Sequence, residues 1–305
     1  MKFNKLKSFL VLFLLIFCLM VSQNTIVFAQ EEVFESNIDE NELTDFVDEN
    51  NDFADIPASQ LILRRERLIA EIEDQHKQLL SQLSIYQDDE RNFKVAHDQY
   101  QKLQTLNSIE GVVESAKKLV LSRNIALNSY LNLLRLKIIE SQGIELFHKE
   151  RSVEQLVSLQ EQLQHHSRKM EGAVNREDVN QLALEFEPLS QSITQTSYYA
   201  LSILTVGRLQ SVYDQSVVIN SKILETQSTQ VMAESTNRAR SLAEIENLIE
   251  NTPPLFLEMW AEINQAEGKM SGYESVYREI NRKLNTIFAR LSRLVAYFEE
   301  LENIR

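Results

Sequence analysis

A heptad repeat in the last fifty residues sets the strongest limit on how this chain can fold. One seven-spaced series reads Phe256, Ile263, Met270, Tyr277, Leu284, Leu291, Phe298. A second, three residues on, reads Met259, Ala266, Tyr273, Ile280, Ile287, Leu294, Leu301. Every position is apolar. A stripe with a mean spacing of 3.5 residues stays on one side of a helix and needs a partner helix along its length. The expected fold class is therefore all-α: an elongated antiparallel helical bundle, coiled-coil-like, with long helices. The seam is the candidate interaction site, pairing within the chain or between chains.

The rest of the chain agrees. From Ala58 onward no strand-like alternation occurs, and with six glycines and four prolines each of these residues punctuates. Five helical pieces are expected. The first runs from about Ala58, after Pro57, to Leu106, with Ile72, Leu79, Tyr86, Phe93 and Tyr100 at seven-residue spacing. Large aromatics there call for small residues opposite. The second runs from Ile109 to Gln142 and stops at Gly143, where a positive φ would cost glycine little. The third begins at Ser152, with Gln155 completing a capping box, and frays at Gly172. Asn175 caps the fourth, with Glu177 and Asp178 against its N-terminal dipole. Pro188 should kink or break it. Asn251-Thr252-Pro253-Pro254 ends the fourth piece in a tight turn, and Thr252 caps the fifth helix, which runs to the chain end as the antiparallel mate of the fourth. Residues 58–175 would form a first helical layer and residues 176–305 a long helical hairpin. The polar stretch Asn220 to Ser241 reads as an exposed helix tip, with an interaction face as the other reading.

The N-terminus reads as a secretory signal over residues 1–29. Lys2, Lys5 and Lys7 precede an apolar run from Ser8 to Val21, and Val27 and Ala29 fit cleavage between Ala29 and Gln30. The run is shorter than the ~20 residues of a membrane span. Contact with a membrane is expected only through this segment, if it is kept. Cys18 is the only cysteine and lies inside it. A cleaved chain thus has no disulfide, thiolate nucleophile or Cys-based metal site. The address implied is secreted or extracytoplasmic, in a bacterial cell envelope. Residues 30–57 read as a disordered acidic linker, since Glu31 to Asp55 hold eleven acids and no base. The net charge of −14 argues against nucleic acid, whose phosphates need a basic face.

Catalytic chemistry finds little footing. Neither a Gly-x-Ser-x-Gly elbow nor a glycine-rich phosphate loop occurs. Gly207, Gly268 and Gly272 fall inside helical patterns, and the spacing of Gly268 and Gly272 suggests close helix approach. Two Glu-x-x-His pairs, Glu73 with His76 and Glu145 with His148, could contribute to a di-metal centre in a bundle. The second pair sits beside Gly143, and no isolated glutamates stand ready on other helices. His76 and His97 share a seam position with Leu83 and Glu90, where polar residues set register. His165 and His166 are adjacent and point to different helix faces.

The expectation is a non-enzymatic helical scaffold or adaptor, without cofactor, pairing with itself or with another envelope protein. A membrane-active protein that unfurls Tyr198 to Ile219 is the alternative, interrupted by Arg208 and Asp214. A di-metal bundle is the lesser one.

Overall fold

The computed structural model describes residues 58–229, 236–266 and 272–303, and every element among them is an α-helix. The expected signal peptide, its Ala29–Gln30 cleavage point, the acidic linker 30–57 and seam residue Met270 lie outside the described residues. The helices are α1 (Ala58–Leu103), α2 (Leu106–Glu140), α3 (Leu146–Glu171), α4 (Arg176–Thr229), α5 (Thr236–Asn251), α6 (Pro253–Ala266) and α7 (Tyr273–Asn303). The chain divides at Arg64 into two units. Of the first, only the opening residues of α1 are described.

The second unit is built from two sets of helices that share α4. In the first set, α2 and α3 are antiparallel. Asn124 meets His166 and Ser167, Lys117 meets Glu171 and Ala173, and Lys149 meets Ile139 and Ser141. The two lysines cap carbonyls at opposite ends of the pair: Lys149 Nζ donates to Ser141 O at 2.6 Å and Lys117 Nζ to Ala173 O at 2.7 Å. Cations at helix C-termini also complement the macrodipole. The first part of α4 runs back along α3, and Val120, Met170, Ala173, Val179 and Leu182 close an apolar cluster where the three helices meet.

In the second set, the rest of α4 packs with α5, α6 and α7. The rings of Tyr198 and Tyr277 lie 5.6 Å apart, those of Tyr199 and Tyr273 5.1 Å, and those of Tyr213 and Phe256 5.7 Å. Pairings along α7 run in reverse through α6 and then α5. Lys283 meets Glu258 and Glu262, Arg290 meets Asn251 O, Arg293 meets Glu244, and Arg240 meets Glu300. Helix α7 is thus antiparallel to both α5 and α6 and parallel to α4.

Several expectations need correction. The single fifth helix is two helices, α6 of 14 residues and α7 of 31, with non-helical Gly272 between them. The chain reverses between Ala266 and Tyr273, not at the two prolines. At Thr252 there is only a step from α5 to α6, and both helices lie along α7. The Thr252 hydroxyl does not cap α6. It is fully buried and donates to Leu248 O at 2.6 Å, at the end of the preceding helix. The fourth piece is likewise two helices, α4 and α5. A boundary at 175/176 does not separate two layers, because α4 belongs to both.

Ser152 does not start α3. The helix begins at Leu146, and Ser152 is fully buried in its inward stripe. Gly143 has no positive φ. Its role is steric: a Cβ there would lie 1.9 Å from Gly207 O. The connection after α2 therefore runs backbone to backbone against α4. Pro188 leaves α4 unbroken. It stands on the exposed side, as does Leu184, whose carbonyl loses its helical donor, so water can replace the bond.

Asn175 caps α4 as expected. Its Oδ1 accepts from Asp178 N at 2.9 Å, and Asp178 Oδ2 accepts from Val174 N at 2.9 Å. Helix α1 ends with Gln104 in the left-handed region, φ 49°, and Thr105 caps α2 by accepting from Ser108 N.

Candidate functional site

The C-terminal seam is spent inside the chain. Phe256, Met259, Ile263 and Ala266 of α6 are buried, as are Tyr273, Ile280, Ile287, Leu291, Leu294 and Leu301 of α7. Tyr277, Leu284 and Phe298 are half-buried. Toward the end of α7, Leu294 and Leu301 join Ile245 and Leu248 of α5 in a core cluster, with Ile223 of α4 against it. Fully burying one such aliphatic side chain stabilises by roughly 1.5–3 kcal/mol. The seam is structural and leaves little surface for a second molecule.

Helix α1 is the opposite case. It is 46 residues long, and among its described side chains Leu79 alone is buried. Its inward face has Ile72, Tyr86, Phe93 and Tyr100 half-buried at seven-residue spacing, with His76, Leu83, Glu90 and His97 beside them. It is held against α2 and the start of α4 by polar side chains. Asn132 Nδ2 donates to Gln75 Oε1 at 2.6 Å, Arg65 and Glu140 are 3.8 Å apart, and Tyr100 OH accepts from Arg176 of α4 at 2.9 Å. Surface contacts of this kind contribute about 0–1 kcal/mol each. Leu80, Ile85 and Val95, outside that stripe, are between 43% and 57% exposed.

Between α1 and the core lies Arg123 of α2. Its guanidinium carbon sits 3.5 Å from the centre of the Phe186 ring, a cation–π contact. Its Nε and Nη2 are shut off from solvent and make no hydrogen bond. Burial pulls this guanidinium down to about 10, although the Tyr86 phenol opposes the shift. Burial and then Glu90 push Tyr86 up to about 12.

Two histidines are buried in α3. His166 Nδ1 lies 2.9 Å from Asn124 Nδ2, and its Nε2 lies 2.9 Å from Leu182 O. His148 Nδ1 lies 2.9 Å from Tyr199 OH, and the ring stacks on Trp260 at 5.1 Å and 15°. Desolvation lowers both rings below the ordinary histidine value. Sequence reasoning missed this pair as a unit. The available signal was their spacing: eighteen residues is five helical turns, so both fall on one face of α3.

The metal-centre residues do not converge. Glu145 stands just before α3, His148 is committed to Tyr199 and Trp260, and Glu73 with His76 belongs to α1. Among the described residues no group of three His, Cys, Asp or Glu side chains could hold a metal ion. A cleft of about 470 Å³ between α3 and α4 is lined by His165, Lys169, Glu185 and Pro188 among others, with Lys169 and Glu185 paired at 3.1 Å.

The apolar segment of the membrane-active alternative lies in the bundle, with Ala200, Ile203 and Val206 fully buried. Among the described residues no helix is long and apolar enough to cross a membrane. Of Asn220 to Ser241, the stretch 226–235 lies outside the described side chains; Ser221, Leu224, Glu225 and Asn237 are exposed and Ser241 is buried. Comparisons with protein-family models, curated proteins and solved structures give no match.

Proposed function

We propose that this is a non-enzymatic helical scaffold or adaptor, and that α1, not the C-terminal seam, is the helix it offers to a partner. The observation that carries this reading is the contrast between them. The seam is occupied within the chain, whereas α1 is 46 residues long with one buried side chain among those described, and it leaves the apolar side chains of Leu80, Ile85 and Val95 in solvent. A long helix with apolar side chains left in water is suited to pairing with another long helix.

The site of action proposed is outside the cytoplasm, in a bacterial envelope. Support comes from Lys2, Lys5 and Lys7 ahead of the apolar run Ser8 to Val21. The partner is a second copy or another envelope protein.

The test is crosslinking in native cells with the wild-type chain and with a Leu80→Glu, Ile85→Glu, Val95→Glu variant. A stoichiometric partner that the wild type captures and the variant loses, with unchanged helical circular dichroism, is the expected result. A partner held equally by both would remove α1 from the reading. Recovery of no protein in stoichiometric amount would remove the scaffold reading itself.

A further inference from the structure

The inward stripe of α3 runs from His148 through Leu156, Leu159 and Leu163 to His166 and Met170. It is apolar in the middle and has a buried histidine near each end, ~27 Å apart. We propose that α3 is an acid-releasable helix: the two histidines hold it in the bundle as neutral rings, and proton uptake by them loosens it.

At His166 burial and the Asn124 amide favour the neutral ring, against the Leu182 carbonyl, which as an acceptor from Nε2 favours the charged one. Leu182 O can only accept, so Nε2 carries the hydrogen; Asn124 Nδ2 can only donate, so Nδ1 keeps its lone pair. A proton added at Nδ1 would face a donor. Turning over the Asn124 amide would offer Oδ1, which has no partner, but would withdraw Nδ2 from Ser167 Oγ at 3.1 Å. The Ser167 hydroxyl is itself committed to Leu163 O. The charges facing the ring oppose the proton on balance. Arg123 of α2 and Lys169 of α3 repel it, and Glu185 of α4 attracts it while already paired with Lys169 at 3.1 Å.

His148 is bonded to Tyr199 of α4 and stacked on Trp260 of α6, and Tyr273 of α7 packs on Tyr199. Its charged neighbours, Glu145 and Arg151, are opposite in sign, which leaves burial as the largest influence. Both rings therefore take up a proton at lower pH when folded than when unfolded. Between those values the unfolded chain binds more protons, so stability rises with pH. This contribution is complete above the unfolded value of about 6.5. It is lost as pH falls through the lowered folded values.

Trp260 is the single tryptophan and lies on His148, so its emission reports that ring. Emission and near-ultraviolet circular dichroism of the full chain would be followed from about pH 8 to about pH 5, a range in which ordinary carboxylates stay mostly ionised and the double histidine variant controls for the rest. Wild type should change with a midpoint below 6.5, and the protection of α3 amides, taken against the intrinsic exchange rate at each pH, should fall at least about tenfold at the acid end. His148→Gln with His166→Gln keeps donor and acceptor without a titrating ring and should remove the change. In parallel, ring titrations by NMR on the wild type need no variant. Both rings titrating with the Trp260 change would support the proposal. Rings that titrate with no tertiary change, or a double variant that responds as the wild type does, would overturn it.

Discussion

At the scale of single residues, tertiary crowding overrides local preference in both directions. Gly143 looked like a helix stop, yet its backbone angles suit any residue and its missing side chain is what matters. Gly143→Ala should cost at least about 1–3 kcal/mol, because the obstacle is the Gly207 backbone and cannot rotate away. Gly111 is the control. It lies inside α2 with open space around it, so Gly111→Ala should stabilise by about 0.5–1 kcal/mol. Urea unfolding midpoints of the two variants check both signs. The Asn175 cap was legible because cap chemistry is local in sequence. Ser152 was not, because the same hydroxyl can cap a helix start or sit in a seam, and only the neighbouring helices decide.

At the scale of helices, the heptad gave the apolar face of α6 and α7 but not the reversal between them. The phase of the stripe continues from Ala266 to Tyr273. Two antiparallel helices each show a stripe, so periodicity alone does not register the turn. Gly268 and Gly272, close together, were the available signal. Ile280→Ala and Leu294→Ala, both at fully buried positions, should each cost about 2–5 kcal/mol. Phe288→Ser, at a position 48% exposed on the same helix, should change stability by no more than about 0.5 kcal/mol. Thermal denaturation of the three variants separates the seam from the outer face. For α1 the heptad was legible but its looseness was not. The sequence shows Gln75, Gln82 and Asp89 on the inward face, and these cannot be packed as tightly as leucines would be.

At the scale of the whole molecule, α4 is the element on which both helix sets depend. Its N-terminal part shares the Val120–Met170–Leu182 cluster, and further along it carries Tyr198, Tyr199 and Tyr213 into the α6–α7 set. Neither set keeps its core if α4 leaves, so at neutral pH both should unfold together. Far-ultraviolet circular dichroism and Trp260 emission should give one coincident urea transition. Two separated transitions would mean that α4 can be shared between a folded and an unfolded set. An all-helical chain was readable from composition and spacing, but the sharing of one helix was not, since it follows from contacts between residues far apart in sequence.

The crossing of Gly143 with Gly207 has a mechanical consequence. Long helices with repeating apolar stripes can slide along one another by a heptad and still bury leucine on leucine. This crossing acts as a detent. A slip of α4 by one residue would bring Val206 or Arg208 beneath the connection after α2, and a slip by one turn would bring Ile203 or Ser211. Each has a Cβ where Gly207 leaves room for a backbone. Two glycines sixty-four positions apart thus select a single axial setting from a repeat that would otherwise permit several.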